Sequence, residues 1–170
     1  MNLYDKAKVF SMAAHEAIGQ KRKYTGEPYY THPQRVADIL QDVQYTLPEE
    51  AYAVALLHDV VEDTGVELHT IGEVFGPKVE QGVALLTDTP TREGGPNRAR
   101  RKEMDRQRLS QAPGWVQTVK VADMIDNTST IVEYDPKFAK VYLEEKRLLL
   151  KELTSADPIL LEQAQSQIKE

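Results

Sequence analysis

The stretch AYAVALLHDVVED, residues 51–63, decides how this sequence folds. Its first seven residues are all apolar or aromatic, so a helix formed by them has no polar face, and such a helix is buried. The stretch nevertheless ends in four ionisable residues: His58, Asp59, Glu62 and Asp63. Burying such groups costs free energy unless each is paired or binds a metal ion. The stretch therefore predicts a central buried helix with chemistry at its C-terminal end.

Outside this stretch, a helical pattern extends over almost the whole chain. Prolines recur where a first helical turn tolerates them, and the apolar residues between them are spaced three or four apart. The predicted helices are residues 3–20, 33–45, 48–63, 77–87, 97–111, 114–133, 137–153 and 158–168. Residues 21–31 and 89–97 are predicted loops, and no alternating pattern predicts a sheet. We expect an all-α fold, with residues 1–170 forming a single domain.

Composition limits the classes of function. The chain has 21 Lys and Arg against 27 Asp and Glu, and this acidic balance argues against a protein that holds a nucleic-acid polymer by neutralising phosphates. Cysteine is absent, which excludes disulfides, thiolate metal sites and cysteine nucleophiles. No apolar run approaches the roughly 18–20 residues of a membrane span, and no secretory signal opens the chain. We expect a cytoplasmic protein without a membrane partner; a homo-oligomer is compatible with the sequence.

A second apolar-rich segment, VQTVKVADMIDNTSTI at residues 116–131, also contains polar residues that suit a site. Asp123 and Asn127 are one helical turn apart and face the same way, so a carboxylate and an amide can share a site. Asp126 is expected to be a solvated acid or a cap. His32 supplies one further imidazole, at the start of a helix that a proline opens.

Together, His32, His58, Asp59 and Asp123 would form a site with two imidazoles and two carboxylates. That donor set suits Mn, Fe, Zn or Mg, and the lack of thiolates argues against a purely structural zinc site. Glu62 lies four residues beyond His58, so it can reach the same site. The alternative is that these residues form no site and that the charged residues at the helix end are simply solvated.

The order His32, His58-Asp59, Asp123 resembles the HD phosphohydrolase superfamily. The surrounding segments QKRKYTGEPYYTHP (residues 20–33), ALLHDVVEDT (55–64) and VKVADMIDN (119–127) resemble the hydrolase domain of RelA/SpoT-type proteins and of the small alarmone hydrolases. These proteins remove the 3′-pyrophosphate from (p)ppGpp. The resemblance implies a compact multi-helix HD-domain fold and covers most of the chain.

The resemblance also implies roles for individual residues. It assigns one Mn²⁺ to His32, His58, Asp59 and Asp123, and the handling of the attacking water to Glu62 and Asp63. The implied substrate contacts come from Arg22 and Lys23 in the loop that packs on the base and from Asn127 near the ribose and 3′-phosphate. Apart from the resemblance, Tyr29 is an aromatic residue beside this loop that could stack on a base or line the pocket. Arg101 is one of several basic residues that could offset the phosphate charge.

Some positions depart from the family pattern. Bifunctional members of the family typically read ADRLHNMRT where this chain reads ADMIDNTST, so Ser129 and Met124 occupy positions that are basic in those members. The family's early histidine lies closer to Gln20 than His15 does, and no role is carried over to His15. The sequence thus leaves two alternatives open: a phosphatase acting on a nucleoside monophosphate or NADPH, and a nucleotide-binding sensor.

Overall fold

A computed structural model describes residues 1–43 and 45–169 of the chain. Within these residues the secondary structure is helical, apart from an isolated antiparallel bridge between Lys21 and Pro28, so the all-α prediction is confirmed. The helices are α1 (Leu3–Ala17), α2 (Thr31–Ile39), α3 (Glu49–Leu57), α4 (Val60–Asp63), α5 (Leu68–Phe75), α6 (Pro77–Leu86), α7 (Arg98–Ser110), α8 (Gly114–Tyr134), α9 (Pro136–Glu152) and α10 (Pro158–Ser166), with a short 3₁₀ helix at Leu40–Asp42.

Two predicted helices end or break earlier than the apolar pattern suggests. The helix predicted for residues 33–45 begins at Thr31 and gives way to the 3₁₀ helix after Ile39, while Gln44 lies outside the described residues. The helix predicted for 48–63 is interrupted after Leu57 and resumes at Val60. The interruption falls on His58 and Asp59, and at Asp59 the backbone departs from helical values, with φ −99° and ψ −4°.

Two further differences have local causes. The helix predicted for residues 3–20 ends at Ala17, since Gly19 adopts a positive φ of 61° that a right-handed helix does not contain. Helix α5 was not predicted. Its buried residues Ile71 and Phe75 have helical spacing, but the segment is only eight residues long and is bounded by Gly76.

Helix α3 lies at the centre of the core and packs against α1, α2, α6 and α8. Its side chains from Ala53 to Leu57 are fully buried, which explains the absence of a polar face. Gly82 allows α6 to approach closely, because a Cβ at this position would lie 2.7 Å from Cγ2 of Val54 on α3. This packing fixes the C-terminal end of α3, where the ionisable residues begin.

Helix α8 packs against α2 and α3 on one side and against α9 and α10 on the other. It is the longest helix of the described chain, and its buried residues therefore point towards two different sets of neighbours. None of the described helices combines the length and the hydrophobicity that crossing a membrane requires.

Candidate active site

Four donor atoms from three parts of the chain converge between α2, the α3–α4 turn and α8. Oδ1 of Asp123 lies 2.9 Å from Nε2 of His32 and 3.3 Å from Nε2 of His58. Oδ2 of Asp59 lies 3.1 Å from Nε2 of His58 and 3.7 Å from Nε2 of His32. Ligand atoms of His32, His58 and Asp59 all lie within 4.8 Å of one another, a spacing that suits a metal ion.

The other ring nitrogen of each histidine fixes which atom faces this centre. Nδ1 of His32 donates to Oδ2 of Asp126 at 2.6 Å, and Nδ1 of His58 donates to the carbonyl oxygen of Ala55 at 2.7 Å. Both Nε2 atoms are thereby directed at the carboxylates, as in histidines that bind metals. Nε2 of His58 is buried and makes no hydrogen bond of good geometry. This buried, unpartnered atom fits a cation ligand.

The electrostatics of the centre also fit a cation. Burial alone would lower the pKa of His58, but the carboxylates of Asp59 and Asp123 raise it well above its ordinary value. Burial alone would raise the pKa of Asp59, but His58 lowers it below its ordinary value. Acids and imidazoles thus share protons that a divalent cation would displace on binding.

Two neighbours of the four donors were not identified correctly from the sequence. Asp126 was expected to be a solvated acid or a cap, and this is wrong: its side chain is nearly buried and accepts from His32 and, at 2.8 Å, from Nε of Arg35. Lys120 was missed. Its Nζ donates to Oδ2 of Asp123 at 2.9 Å, which leaves Oδ1 facing the histidines. Lys120 and Asp123 are three residues apart on α8, and this spacing could have predicted their contact.

Glu62 and Asp63 both line a cavity of about 360 Å³ that opens from this centre. Partial burial and the charges of Asp88 and Asp59 raise the pKa of Glu62 to about 8. The side chain of Glu62 is reached by solvent, and within the described residues it makes no hydrogen bond or ion pair. Asp63 differs in that its Oδ2 accepts from Nε2 of Gln20 at 3.1 Å.

The 21–31 loop contributes a second cavity of about 340 Å³, lined by Arg22 and Lys23. Tyr29 and Asn127 line both cavities. Arg22 donates to Oδ1 of Asn127 at 3.1 Å, while Nδ2 of Asn127 donates to Oδ1 of Asp123 at 2.9 Å. The hydroxyl of Tyr29 donates to Oδ2 of Asp59 at 2.7 Å, so this tyrosine orients a member of the donor set as well as lining the cavities.

Helix α7 contributes three basic residues to the wall of the first cavity, which we call its basic end, and Arg101 is not one of them. Its guanidinium donates to the carbonyl oxygen of Pro96, outside the residues that line the cavity. Arg98, Lys102 and Arg106 line the cavity instead, because residues four apart share a helix face. Arg106 was missed, although the same spacing rule applied to α7 could have identified it.

The three basic residues differ in how their charges are balanced. Arg98 makes a bidentate pair with Glu145 at 2.7 and 2.9 Å, and Lys102 lies 3.2 Å from Asp88. Arg106 makes no ion pair or hydrogen bond with the described residues. An anionic group in the cavity would therefore meet a guanidinium whose charge is not already offset.

Fold and site define a helical domain with a candidate metal centre, and comparison with known proteins supplies its family. The family model for the HD domain matches residues 7–114, and the chain belongs to this family. It is 34% identical over 154 residues to a GTP pyrophosphokinase rsh of Brucella suis. It is 29% identical over 138 residues to a probable guanosine-3′,5′-bis(diphosphate) 3′-pyrophosphohydrolase of Mycoplasma pneumoniae.

These two alignments cover 89% and 74% of this chain, which spans about a fifth (19%) of the length of each relative. A solved structure, described as a metazoan ortholog of SpoT that hydrolyses ppGpp, superimposes with a TM-score of 0.85. The superposition covers 99% of this chain and 95% of that one at 22% sequence identity. This likeness shows that the fold is shared.

Proposed function

We propose that this protein is a phosphohydrolase that uses one divalent cation, Mn²⁺, to remove the 3′-pyrophosphate from guanosine or adenosine alarmones such as (p)ppGpp. In this proposal residues 1–170 act as one HD domain in the cytoplasm, on a small nucleotide rather than a polymer. The observation that carries it is the convergence of His32, His58, Asp59 and Asp123 beside a cavity whose wall includes basic residues of α7. The activities that the names of the Mycoplasma relative and of the metazoan structure describe support the choice of substrate.

The proposed cation would be held by Nε2 of both histidines and by the carboxylates of Asp59 and Asp123. When bound, such a cation polarises a phosphoryl oxygen and lowers the pKa of a coordinated water. Asp126, Ala55 and Lys120 orient the donors from behind, through the hydrogen bonds already described. The protein's own contribution here is to present four donors in a fixed arrangement.

Glu62 is the proposed general base. A base works best when its pKa is close to the working pH, and partial burial together with the carboxylates around Glu62 raises its pKa to about 8. Its oxygens make no bond with the described residues, so they are available to a water in the cavity. Asp63 is held by Gln20 and is proposed to orient that water.

The proposed reaction breaks the bond between the 3′-oxygen of the ribose and its phosphorus. The water oxygen adds to this phosphorus, Glu62 takes the proton, and the 3′-oxygen leaves and is protonated. The products are pyrophosphate and a nucleotide with a free 3′-hydroxyl. The second phosphate of the 3′ group points into the basic end of the cavity, where Arg106 and Lys102 stabilise its charge.

The second cavity is the proposed site for the nucleoside. Its wall combines the cations of Arg22 and Lys23 with the ring of Tyr24, and bases stack well on such surfaces. Asn127 lies at the junction of the two cavities, which is the expected position of the ribose.

A product assay tests the proposal. The purified protein with Mn²⁺ is offered ppGpp, ppApp, NADPH and a panel of nucleoside monophosphates, and pyrophosphate and phosphate are measured separately. We expect pyrophosphate and GDP in equal amounts from ppGpp, and no turnover in Asp59→Ala. Release of phosphate from NADPH or a monophosphate, with no pyrophosphate from either alarmone, would show that the substrate is that nucleotide and not an alarmone. Nucleotide binding without turnover of any compound would favour a sensor.

A further inference from the structure

His15 on α1 is fully buried, although neither the proposed metal ligands nor the proposed base includes it. Its Nδ1 lies 2.8 Å from Oε1 of Gln20, and Nε2 of Gln20 lies 3.1 Å from Oδ2 of Asp63. A chain of two hydrogen bonds thus runs from the interior of α1 to a carboxylate that lines the active cavity. Helix α1 packs against both α3 and α4, so its position relative to Asp63 is fixed by the core.

The direction of these bonds follows from the carboxylate. An ionised carboxylate only accepts, so the amide nitrogen of Gln20 must face Asp63 and its oxygen must face His15. Nδ1 of His15 therefore carries the proton that this oxygen accepts. The other ring nitrogen, Nε2, is buried without a hydrogen-bond partner among the described residues, so it does not compete for the ring's orientation.

The same ring also supports the metal side of the site. It packs on Tyr29 with a centroid separation of 4.8 Å, and the hydroxyl of Tyr29 donates to Oδ2 of Asp59. His15 thus contacts one residue that holds Asp63 and one that holds Asp59. It does so from a position that no ligand in either cavity reaches, because it lines neither of them.

We propose that His15 is a positioning residue, which fixes Asp63 through the amide of Gln20 and supports Asp59 through the ring of Tyr29. The inference rests on the proposed function, since it assigns to Asp63 the orientation of the attacking water. It separates two contributions of one side chain: the Nδ1–H acts on the chemical step, and the ring acts on the metal ligand.

Four variants separate these contributions. Gln20→Met and His15→Phe each remove the hydrogen-bonded chain, while the phenyl ring keeps the packing on Tyr29. We expect each to lower kcat about 10-fold because a carboxylate is misplaced, with KM and Mn²⁺ affinity unchanged. The double variant should be no slower than either single one. His15→Asn restores a donor near Nδ1 and should recover kcat, but it should weaken Mn²⁺ binding because the ring is lost.

The control is Ser11→Ala, which alters another buried side chain of α1 one turn away and should leave kcat unchanged. Wild-type kcat in a folded Gln20→Met variant, or multiplicative losses in the double variant, would overturn the inference.

A second measurement does not depend on turnover. ¹⁵N NMR of the ring shows which nitrogen of His15 carries the proton, and we expect this to be Nδ1. The Nδ1 proton should exchange slowly with solvent, and Gln20→Met should accelerate this exchange. An Nε2-protonated ring, or an Nδ1–H signal that Gln20→Met leaves unchanged, would overturn the inference even if wild-type protein proved inactive on every alarmone. Inactive wild-type protein with the expected tautomer would contradict the proposed function alone.

Discussion

The two faces of helix α8 bury charge in opposite ways. On the face towards α2 and α3, which we call the metal-site face, Asp123 and Asp126 contact His32, and Lys120 neutralises the outer oxygen of Asp123. On the face towards α9 and α10, which we call the Lys146 face, a lysine that is only 2% exposed contacts Thr128 at 2.8 Å and Gln167 at 2.6 Å. Both of its partners are neutral.

The difference shows two outcomes of burying a charge. A buried ionisable group with opposite charges beside it stays ionised. The pKa of a buried group with only neutral partners shifts in the direction that favours its uncharged form. Lys120 counteracts the effect of burial and lowers the pKa of Asp123 well below its ordinary value. Burial lowers the pKa of Lys146 to about 8. The candidate metal-site face therefore keeps a carboxylate ionised, whereas the Lys146 face holds a lysine that loses its proton more readily than an exposed lysine does.

The largest expected effect comes from breaking the metal-site face. His58→Ala or Asp59→Ala removes one of four donors, so we expect Mn²⁺ binding to weaken by more than the roughly 10–100-fold typical of outer-sphere changes, and turnover to be lost with it. Elemental analysis and a Mn²⁺ titration measure the first effect. His69→Ala, which alters an exposed histidine paired with Glu73, is the control. Full metal content in Asp59→Ala would show that the ligands are different.

A smaller effect should follow from Glu62→Gln, which keeps the donors and removes the base. The variant should bind Mn²⁺ like the wild type and turn over at least about 10²-fold more slowly, the usual scale for loss of general-base catalysis. Glu93→Gln, in the exposed 89–97 loop, is the matched control. Near wild-type turnover would mean that Glu62 is only a solvated residue at a helix end.

The basic end of the cavity offers a third case, which differs from both faces of α8. Its Arg106 is a cation that lacks a counter-charge, like Lys146, but solvent reaches it. Arg106→Ala should raise KM for ppGpp about 10-fold, the scale of one charge-assisted hydrogen bond. Arg101→Ala is the control on the same helix, since Arg101 contacts Pro96 and does not line the cavity. Equal KM values for the two variants would place the second phosphate elsewhere.

The smallest effect concerns the Lys146 face and appears as a pH dependence of stability. Between pH 8 and the ordinary lysine pKa of 10.5, the unfolded chain binds a proton at this site that the folded chain lacks, so stability rises with pH. The free energy of unfolding, measured in urea at pH 7.5 and 9.5, should increase by on the order of 1–2 kcal/mol relative to Lys146→Met.

Lys140→Met, at an exposed position of α9, controls for the loss of one positive charge and should retain the wild-type increase. Tyr142 nearby contributes little over this range, because burial raises its pKa to about 12 in the folded chain and its hydroxyl is still mostly protonated in the unfolded chain at pH 9.5. An identical pH dependence in wild type and Lys146→Met would show that Lys146 is not the titrating group.

Much of the fold was predictable because local signals mark it. Prolines such as Pro77 and Pro136 begin helices, and apolar spacing identifies the buried faces. The break at His58 and Asp59 was not predictable, since the apolar pattern runs through it. Helix α5 was overlooked because a single pair of turns between glycines gives a weak periodic signal.

The site was only partly predictable, for a different physical reason. The residue types and spacing of the four donors indicate metal chemistry, and the family resemblance strengthens that interpretation. The contacts of Asp126 and His15 depend on which helices pack together, and no local pattern contains that information. Asp126, for example, meets a histidine 94 positions away.

The spread of the four donors along the chain has a consequence for folding. His32 and Asp123 are 91 residues apart, so their contact closes a long loop and forms only when α2 and α8 have docked. An unfolded chain has no such arrangement and therefore no comparable affinity for the cation. Free cation would select the native ensemble by mass action, adding about 2.7 kcal/mol at a concentration 100 times its Kd. Melting temperature would then report cation occupancy, without any substrate being turned over.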